Sequence, residues 1–164
     1  MIENEIKYTE LDTLEAIKES RGKILSVDFG DVRTGLAVSD ALGMMAHGIG
    51  TFKASGRKAL IGIVCAEATK HGVDEFVVGN PINMNGTIGD RSLKAQRFAE
   101  ELREASGKPV HLFDERCTTM VAHSIMNMTD TRGKKRKDSV DTLSAQIILQ
   151  NYMDSHKNEL DKKG

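Results

Sequence analysis

The sequence predicts an α/β domain with a mixed central sheet, in which three antiparallel strands come first, parallel strands follow, and helices flank the sheet. Residues 24–40 indicate a hairpin, because two apolar runs flank a stretch that holds the turn-forming residues. Beyond residue 55, helical patterns alternate with short apolar strands, which is typical of parallel strands joined by right-handed crossovers.

The hairpin carries a carboxylate in an apolar setting. Residues 24–27 and 36–38 are its two strands, and Ile49 to Phe52 is predicted to add a third strand. Asp28 follows the first apolar run directly. A buried lone carboxylate is costly, so this side chain is expected to be paired, protonated or bound to a cation.

The middle of the chain alternates helix and strand. We predict a helix at 55–72, a strand at 76–78, a helix at 90–106 and a strand at 110–113. Gly72 supplies the stop of the first helix. In the second helix, Leu93, Phe98 and Leu102 are expected to face inward.

The two ends of the chain are more polar. Residues 1–22 are predicted to be an extension with a short helix, 23–156 the domain, and 157–164 a polar tail. Within the domain, Thr118 or Thr119 can cap a helix that runs to about Met128, and 129–138 is predicted to be a charged loop. A last helix is predicted from about Ser139, with one face formed by Val140, Leu143, Ile147 and Ile148.

Composition limits the function classes. The 164 residues hold 23 Lys plus Arg and 24 Asp plus Glu, so net charge gives no reason to expect a nucleic-acid or membrane partner. Cys65 and Cys117 lack the spacing of a zinc site or redox pair and are expected to be reduced thiols. No apolar run reaches the length of a membrane span, and the charged N-terminus does not resemble a signal peptide, so a cytoplasmic location is expected.

Further carboxylates lie near the predicted carboxyl ends of parallel strands, where such sheets have their functional sites. Asp114 and Glu115 end a predicted parallel strand, and ligands bind at the carboxyl ends of parallel strands. Adjacent strand residues point to opposite faces, so one of the two is expected to be catalytic and the other structural. Asp141 is placed in the first turn of the last helix, where the helix dipole alone could explain a carboxylate.

Four motifs occur along the chain, in the order VDFGDVRTGLAVSD, VVGNPINMNGTIGDR, DERCTTMVA and VDTLSAQIILQNYMD. In this order and spacing they resemble those of the YqgF (RuvX) family, the Holliday-junction-resolvase-like branch of the ribonuclease H superfamily. The resemblance covers about residues 24–154 and leaves residues 1–22 uncovered. It implies a ribonuclease H-like fold, which agrees with the predicted order of strands.

The resemblance also implies a metal-dependent nuclease, whose acidic residues fall on Asp28, Glu115 and Asp141. Three carboxylates can hold two Mg²⁺ or Mn²⁺ ions, which suits hydrolysis of a phosphodiester bond. In bacteria this family is assigned to processing of the 5′ end of pre-16S ribosomal RNA, and Holliday junction resolution on branched DNA is the older proposal. The implied partners are therefore precursor rRNA, branched DNA, and ribosome or assembly factors, but no membrane.

Several other residues are candidates for contact with nucleic acid. The densest basic run precedes Asp141 and is expected to bind phosphate, although a solvated loop is the alternative. Arg33 could contact phosphate or be a solvated turn residue, and the amides of the Asn83 loop could contact the backbone or form a turn. The full set is Arg33, Asn83, Asn85, Arg116, Arg132, Lys134, Lys135, Arg136 and Lys137.

Two other function classes share some of these sequence features. Actin-like ATPases also open with a glycine-rich hairpin, but they need two related domains, and no part of this chain repeats the hairpin. The second alternative is a non-catalytic ribonuclease H-like scaffold that binds nucleic acid or a ribosome-assembly partner. The presence of all three acids counts against that alternative.

Overall fold

The computed structural model describes residues 22–114 and 133–163, with the backbone alone described for 133–139 and 156–163. The described residues form β1 (Lys23–Asp28), β2 (Thr34–Ser39), β3 (Ala46–Phe52), α1 (Arg57–His71), β4 (Val73–Asn80), α2 (Asp90–Ser106), β5 (Val110–Asp114) and α3 (Gly133–Lys163). The predicted N-terminal helix and the helix predicted near residues 118–128 lie outside the described residues.

The sheet is mixed, as the sequence predicted. Its five described strands lie in the order β3-β2-β1-β4-β5, so β1 is central. The β1–β2 and β2–β3 pairs are antiparallel. The β1–β4 and β4–β5 pairs are parallel. The carboxyl ends of the three parallel strands β1, β4 and β5 therefore lie at the same edge of the sheet. Loops and helix ends converge at that edge.

Two glycines end the helices that join the parallel strands. Gly72 after α1 and Gly107 after α2 both have φ of 67°, a left-handed conformation that glycine adopts without a steric penalty. The predicted stop at Gly72 is confirmed. These turns bring the chain back so that β4 and β5 both run parallel to β1.

One face of the sheet packs against α1 and α2. Leu25 and Val27 of β1 and Phe76 of β4 are fully buried there against Phe98 and Leu102 of α2. Alternate strand residues supply this core, as expected for a sheet covered on both faces. Burial of each large side chain contributes about 1.5–3 kcal/mol to folding.

The opposite face packs against α3, and small residues dominate the contact. Ser26 of β1 is fully buried and its hydroxyl donates a 2.6 Å hydrogen bond to the carbonyl of Ala145. Ile148 and Leu149 are also fully buried on this side. A hydrogen bond from a strand side chain to the helix backbone requires close approach, so α3 lies unusually near the sheet.

Two predictions about the helices were wrong. Leu93 is 47% exposed, because the buried stripe of α2 runs through Ala95, Phe98, Ala99 and Leu102 and leaves position 93 outside it. The last helix begins at Gly133 and not near residue 139, so residues 133–138 are helical and not a loop. The basic run has no apolar residues, so it has no hydrophobic periodicity from which a helix could be predicted.

The sheet-facing side of α3 also differs from the prediction. The buried positions include Ser144, Ala145, Ile148 and Leu149, whereas Val140, Leu143 and Ile147 are only partly buried. Small residues face the sheet because the helix backbone lies so close to β1. The helix continues to Lys163, so the backbone of the predicted polar tail is largely helical.

None of the described helices combines the length and apolar composition that a membrane crossing requires. Cys65, on α1, is a free thiol, as predicted, and partial burial raises its pKa. Cys117 lies outside the described residues. A raised pKa leaves less thiolate at neutral pH, so Cys65 has the character of a packing residue.

Candidate active site

The carboxyl ends of the three parallel strands form one edge of the sheet. Val27 pairs with Val78, and Asn80 pairs with Asp114, so the last residues of β1, β4 and β5 come to the same edge. Asp28 is the last residue of β1 and is partly buried. The predicted carboxyl edge of the parallel strands is therefore present, and Asp28 ends its central strand.

The face on which Asp28 lies follows from the alternation of β1. Ser26 contacts the α3 backbone, whereas Leu25 and Val27 belong to the core beneath α1 and α2. Since side chains two residues apart share a face, Asp28 lies on the α3 face. This is the face to which α3 brings Asp141.

Glycines flank Asp28 on both neighbouring strands. Gly35 of β2 is its register partner, and on β4 the residue after Val78, the partner of Val27, is Gly79. Neither neighbour has a side chain beyond the backbone, so the space beside the Asp28 carboxylate is not filled by the adjacent strands. On the β2 side, this position is occupied by the backbone of α3.

Gly35 also allows α3 to pack closely against the sheet. A Cβ atom at this position would lie 2.0 Å from the carbonyl oxygen of Asp141 and 3.0 Å from the amide nitrogen of Thr142. The helix backbone therefore lies directly over the residue paired with Asp28. Next to this contact, the hydroxyls of Thr51 and Thr142 are 2.8 Å apart and tie the same turn of α3 to β3.

Asp141 has a cationic partner that the sequence did not predict. The Nε atom of Arg33 lies 3.3 Å from Oδ2 of Asp141, and the two side chains are 25% and 27% exposed. Arg33 is thus paired with Asp141 and is not a solvated turn residue. It offsets the charge of Asp141 and holds its carboxylate beside the β1–β2 turn, while partial exposure keeps the pair's contribution to stability small.

The predicted position of Asp141 within its helix was wrong. Because α3 begins at Gly133, Asp141 lies more than two turns into the helix, beyond the reach of its N-terminal dipole. The dipole therefore does not explain this carboxylate. Its location over Gly35 and its contact with Arg33 give it a site-specific environment instead.

Asp114 lies on the other face of the sheet from Asp28. Val110, four residues earlier in β5, belongs to the core beneath α1 and α2, whereas Phe113 belongs to the core beneath α3. By alternation Asp114 shares the face of Val110. Its register partner Asn80 uses its side-chain oxygen to accept a 2.5 Å hydrogen bond from Ser92 of α2. Asp114 therefore lies on the face beneath α1 and α2, and the division of roles between Asp114 and Glu115 stays a prediction.

The remaining predicted site residues are only partly described. Glu115, Arg116 and Arg132 lie outside the described residues, and for the run Lys134, Lys135, Arg136 and Lys137 only the helical backbone is described. Within the described part of the chain, no three His, Cys, Asp or Glu side chains are grouped to hold a metal. Asp28 and Asp141 supply hard oxygen donors, which fit Mg²⁺ or Mn²⁺.

The loop after β4 is organised by its two asparagines. Asn85 Oδ1 accepts hydrogen bonds from the amide of Thr87 at 3.1 Å and from its hydroxyl at 2.6 Å. Asn83 donates from Nδ2 to the Thr87 hydroxyl at 3.0 Å. Both predicted nucleic-acid contacts thus build a turn around Thr87, and their role in binding stays a prediction.

Comparison with known proteins gives concordant results. A family model described as "RuvX: Holliday junction resolvase" matches residues 22–155. A protein of Bacillus cytotoxicus called "Putative pre-16S rRNA nuclease" is 43% identical over 81% of this chain and 98% of its own length. A protein of the same name from Thermoanaerobacter pseudethanolicus is 41% identical over 84% of this chain and 99% of its own length.

A solved structure shares the fold. It is "T. thermophilus RuvC in complex with Holliday junction substrate", with a TM-score of 0.55 at 14% sequence identity, covering 84% of this chain and 97% of that chain. Identity this low supports the fold alone. The likeness confirms the ribonuclease H-like architecture that the sequence motifs implied.

Proposed function

Because this chain belongs to the RuvX family, we propose that it is a nuclease that hydrolyses phosphodiester bonds in structured nucleic acid, with the 5′ end of pre-16S rRNA as its substrate. The observation that carries this proposal is the packing of Asp141 over Gly35, the register partner of Asp28. This packing brings the backbone of Asp141 over the residue paired with Asp28, which supports a site shared by the two acids.

The proposed metal ligands are Asp28, Glu115 and Asp141. Bound Mg²⁺ or Mn²⁺, as a pair of ions, would activate a water molecule and stabilise the departing oxygen of the phosphodiester. Asp28 would be the most rigidly held of these ligands, because a central strand fixes its backbone and neither adjacent strand places a side chain beside it. Glu115 is retained as the third ligand because alternation assigns Asp114 to the other face.

A cationic side chain beside the carboxylates favours binding of a polyanion at this edge. Carboxylates close together repel each other, and Arg33 lowers that repulsion by pairing with Asp141. The guanidinium also leaves a cation beside the acids, where it could contact a phosphate of the bound strand. Arg33 is thus proposed to orient Asp141 and to help position substrate.

A second candidate function is Holliday junction resolution, which the description of the matching family model favours. The test is to give purified protein equal amounts of precursor 16S rRNA carrying its 5′ leader and of four-way junction DNA, each with Mn²⁺ or with EDTA. We expect Mn²⁺-dependent cleavage near the mature 5′ end of the rRNA. Cleavage of the junction alone would favour the resolvase, and cleavage of neither would favour the non-catalytic scaffold.

The basic run at the start of α3 is proposed to bind substrate phosphates. Each phosphate contact on a single strand lowers the slope of log affinity against log salt by about 0.7. Replacing Lys134, Lys135 and Arg136 with Gln is therefore expected to weaken binding and flatten its salt dependence, without altering the metal requirement. The measurement is a salt titration of rRNA binding in Ca²⁺, which suppresses cleavage. Equal slopes for the variant and the wild type would mean that these charges only solvate the helix.

A further inference from the structure

A pocket of about 240 Å³ lies at the same edge of the sheet as Asp28, on the face beneath α1 and α2. Phe29, which directly follows Asp28, lines it, and so does Thr34, whose register partner Phe52 forms another part of the wall. A chain crossing this edge would therefore meet the acids on one side and the pocket on the other. Nothing in the proposed chemistry uses this pocket.

The lining combines an apolar floor with a basic rim. Phe52 and the buried Leu60 supply apolar surface, and Phe29 adds an aromatic ring whose other contact is Phe98, with centroids 4.9 Å apart in a stacked arrangement. The rim carries the cations Arg57, Lys94 and Arg97 and one acidic side chain, Asp31. Aromatic surface beside clustered cations is the pattern by which proteins bind a base together with its phosphate.

The cations of the rim differ in how they are engaged. Arg57 pairs with Glu101 at 2.7 Å, and Lys94 pairs with Asp31 at 3.2 Å, both among exposed side chains. Exposed pairs of this kind are weak and can exchange partners. Arg97 is exposed, and among the described acidic side chains none forms an ion pair with it. The rim therefore has positive charge available to an incoming anion.

We propose that this pocket binds one nucleotide of a nucleic-acid strand, with the base against Phe29 and Phe52 and the phosphate at Arg97 and Lys94. Pockets that enclose drug-sized ligands hold about 300–1,000 Å³, so the volume here fits a single base better than a whole dinucleotide cofactor. The uncapped first turn of α1, which begins beside the pocket and has no acidic residue, adds to the positive potential. This inference rests on the proposed function, since the strand would be the one that the acidic edge cleaves.

The test measures binding of a 12-nucleotide single-stranded RNA with a central 2-aminopurine, in EDTA so that metal-dependent cleavage plays no part. Arg97→Gln is expected to weaken binding about three- to tenfold and to make the slope of log affinity against log salt less steep by about 0.7. Arg91→Gln is the matched control, because Arg91 is an exposed cation on the same helix that does not line the pocket. It should change the affinity less than about twofold, as expected for a cation that contacts no phosphate.

Two further variants test the two halves of the pocket separately. Asp31→Asn releases Lys94 and is expected to strengthen binding, which is opposite in sign to the effect of Arg97→Gln. Phe52→Leu keeps apolar bulk but removes a ring, so it should reduce the quenching of 2-aminopurine that stacking causes. Equal effects of Arg97→Gln and Arg91→Gln, with unchanged quenching in Phe52→Leu, would overturn the proposal.

The source of the nucleotide and the link to catalysis are separated by two additional arms. In the first arm, AMP is titrated against the RNA complex. If AMP competes with the RNA, and Arg97→Gln weakens that competition, a free nucleotide also enters the pocket. If AMP does not compete, the pocket accepts only nucleotides within a strand. Because binding is measured in EDTA, loss of the proposed nuclease activity would leave the binding result intact. If the protein cleaves rRNA normally while Arg97→Gln and Arg91→Gln bind RNA equally well, the proposed pocket would be refuted and the proposed nuclease function would stand.

Discussion

Asp28→Asn is expected to reduce metal-dependent cleavage by more than about a thousandfold, since loss of an outer-shell partner alone typically costs about 10- to 100-fold. The substitution keeps the shape of the side chain and removes a charge from the centre of the acidic edge. The rate is measured on precursor rRNA with Mn²⁺ in excess. The fold should remain, and the melting temperature should be unchanged or higher, because repulsion between carboxylates falls.

The matched control for this variant is Asp74→Asn. Asp74 is an exposed carboxylate near the start of β4, at the opposite edge of the sheet from Asp28. The two variants change net charge equally, so a general electrostatic effect on nucleic-acid binding would appear in both. Wild-type cleavage by the Asp28 variant, or equal losses in the two variants, would remove Asp28 from the mechanism.

Gly35→Ala is expected to damage both stability and activity. The added methyl group would lie 2.0 Å from the carbonyl oxygen of Asp141, a backbone atom that cannot rotate away, so α3 must shift from the sheet. Overpacking of this kind costs about 1–3 kcal/mol. For a domain of this size each kcal/mol lowers the melting temperature by about 2–4 °C. Cleavage should fall further than stability explains, because Asp141 moves away from Asp28.

Gly62→Ala is the control for that experiment. Gly62 lies within α1, where a Cβ atom would meet nothing within 4 Å, and alanine in a helix interior is more favourable than glycine by about 0.8–1.0 kcal/mol. This variant should therefore melt at the same or a higher temperature with full activity. Thermal melts and cleavage rates are measured for both variants. If Gly35→Ala behaves like Gly62→Ala, the close packing of α3 on Gly35 is refuted.

Local signals in the sequence predicted most of the fold. Gly72 marked the end of α1, and the range 90–106 predicted for the second helix matches the bounds of α2. The alternation of apolar strands and helices gave the parallel half of the sheet, and the turn-rich stretch between residues 30 and 35 gave the hairpin. These features depend on backbone preference and short-range periodicity, which a single sequence contains.

The wrong predictions concern features that depend on packing between distant parts of the chain. Ser144 and Ala145 face the sheet because α3 lies close to β1, and a hydrophobic pattern favours larger neighbours such as Leu143. The contact of Arg33 with Asp141 joins residues more than a hundred positions apart, so no local pattern could indicate it. The pocket beside Phe29 likewise draws its walls from separate elements.

The roles of the proposed site residues stay predictions, and only the positions of some can be compared with the structure. Asp28 was predicted as a site residue from its position after an apolar strand, and α3 brings the backbone of Asp141 over Gly35, the register partner of Asp28. The role of Glu115 stays a prediction, as does the binding of two metal ions. The glycines that flank Asp28 could have been noticed in the sequence, but only the strand register reveals that they lie beside it.

The most direct test of the metal site is an anomalous-scattering map from crystals of this protein soaked in Mn²⁺. We expect manganese at the carboxyl edge of β1, in contact with the carboxylates of Asp28, Glu115 and Asp141 at about 2.0–2.2 Å, as hard oxygen ligands require. Two peaks about 4 Å apart would match a two-metal mechanism. A map with manganese bound elsewhere, and none at Asp28 under saturating metal, would contradict the central claim.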